Sequence, residues 1–436
     1  MNSKAVWSNW SGAHQVTPKQ VLHPASTADI SAAIETAISQ GRKLRPIGSG
    51  HSFTGCAVAA DTQLDLSRHQ GVVAVNAEKK QVTLRGGTKL WQIPPLLAPL
   101  GLAMQNLGDI NRQSITGAIS TSTHGTGLSF GGLGSQVAGV KLIDGTGAEI
   151  TIDDSDPEEL DKYRVTLGTY GVISEVTLQL VDDYDLKVVE RPESLDLVLG
   201  SWEHLNRNND HFEFFWFAEA DRVVTKTSTR VQPNELPRTP DRRVADFINE
   251  ELIGNAAFAG LVGVGRLIPG FTGRLNSFAT AAWGSSERVR NWSAGFASPR
   301  RVKFNEMEYA VPFAAVPEIL RELRSQFKRR GLVSTFPLEV RAAAVDTGWL
   351  ATSYGRETGY IAVHKPAHED YREYFAVCES VFKAHSGRPH WGKMHSLTDT
   401  DLAERYDRWD AILELRNRHD PHRIFTNKYL TQVFGY

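Results

Sequence analysis

Apolar residues recur with helical spacing at Ile30, Ala33, Ile34 and Ile38, and residues 27–31 ahead of them offer an N-cap. The period then shortens. Residues 43–47, 63–66 and 71–75 read as short strands. Residues 81–85 alternate and end on Gly86-Gly87, after which Thr88 caps a helix toward Leu100. Runs at 137–143 and 148–152 flank Asp144-Gly145-Thr146-Gly147, a hairpin signal. An alternating run at 171–180 closes this first half. Beyond 181–183 the character shifts. Residues 211–217 form a strand dense in aromatics, and 232–243, with three prolines and several charges, form a loop. Strands are predicted at 303–312, 337–343 and 360–364, and helices at 316–329 and 371–384. This succession predicts an antiparallel sheet with helices on one face. The weakly polar region 254–270, broken by Asn255, Gly260, Gly263, Gly265 and Arg266, reads as a helix or loop.

Composition narrows the class. A chain of 436 residues exceeds one ordinary domain, so two or three are expected. A hydrophobic content of 41% with 22% charged residues is that of a soluble globular protein. The net charge of −2 argues against nucleic acid as a partner. Cys56 and Cys378 are the only cysteines, which excludes a disulfide framework and a Cys-based metal site. Cys56 is expected to pack as a small hydrophobe. Residues 1–7 contain no signal-peptide run, and no stretch approaches the roughly 20 apolar residues of a membrane span. A cytoplasmic protein is expected. His385, His390 and His395 recur every five residues and so share no helix or strand face. A metal hydrolase is therefore disfavoured and no metal is expected.

Candidate chemistry enters with two glycine-bearing runs. Arg45-Pro46-Ile47-Gly48-Ser49-Gly50-His51-Ser52-Phe53 sets a histidine just past a glycine pair at the end of a strand. Glycine permits φ > 0 and close backbone approach to a phosphate. A G-x-G-x-x-G fingerprint would need a third glycine where Phe53 stands and a helix directly after; both are missing. Alone, the run is a tight turn after a strand. The second run, residues 108–127, is rich in Gly, Ser and Thr, with Ile110, Ile115 and Ile119 interspersed. Its small hydroxyls and backbone N–H groups suit a pyrophosphate with no lysine clamp, and the isoleucines place it inside the protein. Together the runs suggest a backbone cradle for a large phosphate-bearing cofactor, with an imidazole held against it.

These residues resemble the flavoproteins of the vanillyl-alcohol-oxidase type, in particular the sugar-1,4-lactone oxidoreductases and alditol oxidases. The likeness begins at Trp7-Ser8-Asn9-Trp10-Ser11-Gly12 and passes through His23-Pro24-Ala25-Ser26-Thr27 and both glycine runs. It continues at Gly171-Val172-Ile173 and Pro337-Leu338-Glu339-Val340-Arg341. It ends with Gly387-Arg388-Pro389-His390-Trp391-Gly392-Lys393 and Phe425-Thr426-Asn427, so it covers nearly the whole chain. The resemblance implies an α+β fold. A two-lobed FAD-binding domain would span 1–182. A substrate-binding cap domain with a large antiparallel sheet and flanking helices would span 183–415. A C-terminal segment, 416–436, would return to the FAD domain.

The resemblance also assigns roles. A histidine at the place of His51 carries FAD covalently through the flavin 8α carbon, with Gly48, Ser49, Gly50 and Ser52 flanking it in the motif. Gly117, Ser120, Thr123, His124 and Gly125 would hold the diphosphate and ribityl chain. Gly108, Asp109 and Ser114 belong to the same cofactor site, and Val172 and Ile173 would lie along its adenine side through backbone contacts. Glu339 and Arg341 stand two apart on a strand and share a face. A carboxylate there can accept hydrogen bonds from substrate hydroxyls, and a guanidinium can stabilise an alkoxide or an anionic reduced flavin. His364 and Lys393 match the family's active-site histidine and lysine, and either is a candidate base. Glu306 and Asp109 fall where the lactone-type members resemble this chain and are candidate substrate contacts.

The implied reaction is oxidation of an aldono-1,4-lactone, L-gulono-1,4-lactone first, at C2, giving ascorbate or an analogue. D-arabinono- and L-galactono-1,4-lactone stay open, as does an alditol such as xylitol or sorbitol oxidised at C1. A flavin-binding protein without turnover would not need Glu339, Arg341, His364 and Lys393. Gly108 occupies the position that guards oxygen access to the flavin. Glycine there favours an oxidase, yet dehydrogenases of the family share it, so oxygen and a cytochrome- or dye-type acceptor both remain.

Overall fold

The computed structural model describes residues 6–218, 220–240, 285–297 and 302–435. The region 254–270 and the end of the loop at 241–243 lie outside the described residues. The first lobe holds β1 (Gln20–Leu22), α1 (Thr27–Ser39), β2 (Leu44–Ile47) and β3 (Thr62–Asp65), its strands parallel in the order β1-β3-β2. The cap of α1 is Ser26, one residue ahead of the predicted stretch. Ser26 Oγ accepts from the Asp29 backbone N–H at 3.2 Å while Asp29 accepts from the Ser26 N–H at 3.0 Å. That reciprocal box satisfies two orphan donors at once, which Thr27 could not do. The buried stripe Ile30, Ala33, Ile34 and Ala37 packs on Leu44 and Leu64, and Ile424 and Phe425 from the C-terminal segment complete this core. The Arg45 guanidinium of β2 donates to the carbonyls of Cys56, Leu167, Gly168 and Phe425 at 2.8–2.9 Å. Through these two terminal nitrogens it ties four chain segments together, their buried N–H groups satisfied by carbonyl oxygens.

The second lobe is a five-stranded sheet of β4 (Val72–Asn76), β5 (Gln81–Arg85), β6 (Val137–Asp144), β7 (Glu149–Asp153) and β8 (Gly171–Gln179), ordered β7-β6-β8-β5-β4. The β6–β7 hairpin turns at Asp144–Gly147 as its sequence predicts. The run that seemed to close the lobe, β8, is its central strand. Residues 88–100 do not form one helix capped by Thr88. Pro94, Pro95 and Pro99 break the stretch into a short α-helix, Ile93–Leu97, between 3-10 turns at Leu90–Gln92 and Ala98–Leu100. The Thr88 hydroxyl instead donates to Arg85 O at 2.7 Å and accepts from Gly71 N–H at 3.0 Å. Inside the second glycine run a helix, α2 (Ile115–Ser120), starts at Ser114, whose Oγ accepts from the Gly117 N–H at 3.2 Å.

The second half is dominated by an antiparallel sheet, eight-stranded among the described residues. Its strands are β9 (Asp185–Ser194), β10 (His211–Trp216), β11 (Arg222–Val231), β12 (Ser286–Asn291), β13 (Phe304–Pro312), β14 (Leu338–Ala343), β15 (Thr358–Pro366) and β16 (Arg388–Pro389), in the order β12-β9-β11-β10-β14-β15-β13-β16. Helices α3 (Val316–Arg330) and α4 (Arg372–Ala384) pack on one face. There Phe212, Phe214 and Trp216 of β10 join Leu338, Val340 and Ala342 of β14, and Met307, Tyr309 and Val311 of β13. These are every second residue of each strand, so the intervening residues face the other way. Among the described residues no helix is long and apolar enough to cross a membrane.

Candidate active site

The two glycine runs meet. A cleft is lined by Gly48, Ser49, Gly50, His51 and Ser52 from the first run, Ser114, Gly117 and Ser120 from the second, and Ile173 of β8. A Cβ added at Gly48 would lie 2.6 Å from Ser114 Oγ, and one at Gly117 2.9 Å from the same atom. At such approach the wall is backbone, N–H groups and small hydroxyls, which suits a phosphate-bearing group. The donors here thus fit the diphosphate portion of FAD.

His51 sits at the end of this cleft. Burial, then the charges of Lys393, Lys89 and Arg112, pull its pKa down to about 4, so the imidazole is neutral at physiological pH. An N-terminal hairpin, Trp7–Ser8 paired with Gln15–Val16, straps the turn. Trp10 N–H donates to Gly50 O at 2.7 Å, Asn9 Nδ2 donates to Ser52 O at 3.0 Å, and the Trp10 ring stacks on His51 at 6.1 Å. Next to it, Phe53 N–H donates to Gly392 O at 2.7 Å, and Lys393 Nζ stands 5.2 Å from the Phe53 ring.

Lys393 joins the cleft to the polar face of the large sheet. The side chains alternating with the apolar core on β10, β14, β15 and β13 are Glu213, Glu339, Arg341, His364, Glu306 and Glu308, all buried. Register sets them together: Glu213 opposite Lys226, Arg341 opposite Tyr360, Glu306 opposite His364. Arg341 Nε donates to Glu213 at 2.9 Å, its Nη2 lies 3.5 Å from Asp109, and it also contacts Glu339. Burial opposes the guanidinium's charge, but Asp109, Glu213 and Glu308 outweigh it and hold Arg341 firmly protonated. Burial likewise works against the Glu213 carboxylate. Lys226, 2.8 Å away, and Arg341 overcome it and bring the pKa down to about 2. Glu306 binds Lys393 and lies 3.4 Å from His364 Nε2. Despite burial, Lys393 and His364 hold it below the usual carboxylate range. His364 Nδ1 faces the Pro337 carbonyl at 2.9 Å, which orients the ring.

The structure thus gathers Glu339, Arg341, His364, Lys393, Glu306 and Asp109 on one polar surface, and His51, Gly48, Ser49, Gly50, Ser52, Ser114, Gly117, Ser120 and Ile173 in the cleft. Five other expected cofactor residues do not line this cleft. The Val172 side chain packs inside the first lobe with Leu44 and Leu64. Gly125 backs onto Asn106, whose Oδ1 would be 2.5 Å from an added Cβ, and Gly108 onto His124 O at 3.1 Å. Thr123 Oγ1 accepts from Gln113 Nε2 at 3.0 Å. His124 turns toward Glu308, 3.3 Å away, and none of Val172, Gly108, Thr123, His124 and Gly125 lines the cleft. His385, His390 and His395 diverge: His385 meets Glu322 at 3.2 Å and His395 meets Tyr429 at 2.8 Å. Glu213, Lys226 and Glu308 lie at the site without having been expected there, and His390, weighed above only as a metal ligand, joins them. The signal available for Glu213 was a lone carboxylate alternating with Phe212 and Phe214 in an otherwise aromatic strand.

Residues 176–433, which carry the whole polar face apart from Asp109, match the family model described as D-arabinono-1,4-lactone oxidase. The chain belongs to the D-arabinono-1,4-lactone oxidase family. Residues 18–153 of this family member match a FAD binding domain, so its cofactor is FAD. It is 37% identical over 430 residues to the L-gulono-1,4-lactone dehydrogenase of Mycobacterium tuberculosis, with 99% of each chain covered. It is 28% identical over 438 residues to the L-gulonolactone oxidase of Bos taurus, with 98% of each covered. Its fold is similar to that of cholesterol oxidase from B. sterolicum, with a TM-score of 0.78 at 16% identity, covering 98% of this chain and 96% of that one. As a member of this family the protein is a flavin-dependent oxidoreductase acting on CH–OH donors, and the reading of a flavin-binding protein without turnover is not favoured.

Proposed function

We propose that this enzyme oxidises L-gulono-1,4-lactone or a closely similar aldono-1,4-lactone at C2, with the substrate held between the cofactor cleft and the polar face of the large sheet. FAD, when bound, supplies the acceptor for the hydride leaving C2. The observation that carries the reading is the position of Lys393, whose charge is felt by His51 on the cleft side while its ammonium binds Glu306 on the sheet side. Lys393, rather than His364, is the base that takes the hydroxyl proton once its amine is free. Its side chain is 18% exposed against 9% for His364, whose ring is oriented by Pro337. Glu306 holds Lys393 in place. Arg341, fixed among Glu213, Glu339 and Asp109, stabilises negative charge developing on the substrate oxygen, and Glu339 accepts hydrogen bonds from the lactone hydroxyls.

His51 is the residue through which FAD is tethered. Its neutral imidazole offers the lone pair that a bond to the 8α carbon needs, and the Trp10 strap holds the ring in place. Oxygen and a one-electron carrier of cytochrome or dye type are both acceptors consistent with Gly108. Initial rates with a dye acceptor test the substrate: L-gulono-1,4-lactone is expected to give a higher kcat/KM than xylitol, and the reverse order would move the assignment to a polyol oxidase.

A further inference from the structure

Behind the base stands a second buried cluster. His124, Glu308 and His390 bring one nitrogen or oxygen each within 4.8 Å of one another. That spacing would suit a metal with a His₂Glu ligand set, but the hydrogen bonds around it decide otherwise. The Gly392 backbone N–H donates to His390 Nδ1 at 3.0 Å. That nitrogen carries the lone pair, so in the neutral ring the proton sits on Nε2, which leaves no lone pair for a metal. Burial keeps this ring neutral, with its pKa near 3. His124 is the opposite case. Its Nδ1 faces the Gly125 carbonyl at 2.8 Å and its Nε2 faces the Glu308 carboxylate at 3.3 Å. Both partners only accept, so both nitrogens carry protons. Tyr360 lies flat against the ring, with centroids 3.5 Å apart and planes at 16°, an arrangement that favours a cation.

We propose that His124 and Glu308 form a closed imidazolium–carboxylate pair, metal-free, whose neutrality keeps the Glu308 charge from raising the proton affinity of Lys393. His124 is a positioning residue in this account: it acts on the proposed base through Glu308. Glu306 already has Lys393 as its cation, whereas His390, being neutral, leaves Glu308 only His124 among these imidazoles. Lys393 and Glu308 interact electrostatically, so an unpaired Glu308 would hold the Lys393 proton more tightly. The other groups facing the pair are Arg341 and Tyr360 from β14 and β15, Glu306 from β13, and His390 from the loop that carries Lys393. Lys393 itself also faces Glu306, His390 and His51.

The kinetic consequence rests on Lys393 being the base, so the test has two separate arms. In the first, FAD-loaded protein labelled with nitrogen-15 at histidine is observed by NMR at neutral pH, the His124 signals being assigned by their loss in His124→Asn. The expected pattern has both ring nitrogens protonated. In Glu308→Gln, whose amide can donate to Nε2, His124 should convert to the neutral Nδ1–H form. A neutral His124 in the native enzyme, an imidazolium that survives Glu308→Gln, or a stoichiometric metal on elemental analysis would overturn the proposal. In the second arm, the pH profile of lactone-driven flavin bleaching is compared among variants. His124→Asn should move its inflection alkaline by roughly 1 pH unit, as an unpaired neighbouring carboxylate does. The double variant His124→Asn/Glu308→Gln should bring the inflection back. An equal shift in single and double variants would overturn the coupling. Lys393→Met bleaching at the native rate would remove the base assignment while leaving the NMR result standing.

Discussion

Glu213 is buried between two cations, and replacing it with glutamine tests whether the polar face is held by charge. The carboxyl's pKa falls from 4.5 to about 2 in the folded protein. At about 1.36 kcal/mol per pH unit, this contributes about 3 kcal/mol of stability at neutral pH. Glutamine keeps the shape but leaves Lys226 without its anion and removes one of the three carboxylates around Arg341. Because the folded pKa is depressed, the contribution is complete above about pH 4.5 and is lost as pH falls through about 2. Glu213→Gln should therefore unfold several degrees below the native enzyme at pH 7, with the gap narrowing as pH drops below about 4.5. Thermal unfolding of both proteins at equal FAD saturation measures this, since bound cofactor itself stabilises. A variant as stable as the native enzyme at pH 7, or a deficit that stays constant into the acid range, would show that charge does not hold this face together.

Three further outcomes are expected. Lys393→Met should slow lactone-driven flavin reduction by roughly 10²–10⁴-fold, the usual contribution of a positioned base, as followed by stopped-flow absorbance. His51→Ala should release its flavin when the protein is denatured in acid, whereas the native polypeptide stays yellow. Gly48→Ala sets a methyl 2.6 Å from Ser114 Oγ. Displacing that cap from the Gly117 N–H costs about 1 kcal/mol and should lower the ratio of bound FAD to protein.

Much of the fold was legible because its strands alternate cleanly. β10, β13, β14 and β15 each interleave core residues with polar ones, and their bounds fall within a few residues of those predicted. The pairings were not legible, because they are non-local. β8 reads as a closing strand but sits between β6 and β5. Arg341 and Glu213, 128 positions apart, meet only through the β10–β14 register. The broken helix at 88–100 was there to be read in its three prolines, and the α1 cap in the Ser26–Asp29 spacing. The resemblance groups His124 with Gly117 and Ser120, which do line the cleft. Its ring contacts Glu308 and Tyr360, which reach it from β13 and β15, and no local sequence pattern announces those non-local partners.

A flavin that takes electrons from an aldonolactone held against Lys393 and Arg341 must bleach when the two meet. The most direct measurement is the visible spectrum of the purified enzyme mixed anaerobically with L-gulono-1,4-lactone. Loss of the oxidised-flavin absorbance in the native enzyme and its marked slowing in Lys393→Met are predicted. A yellow enzyme whose spectrum no aldono-1,4-lactone changes would contradict lactone oxidation at this site.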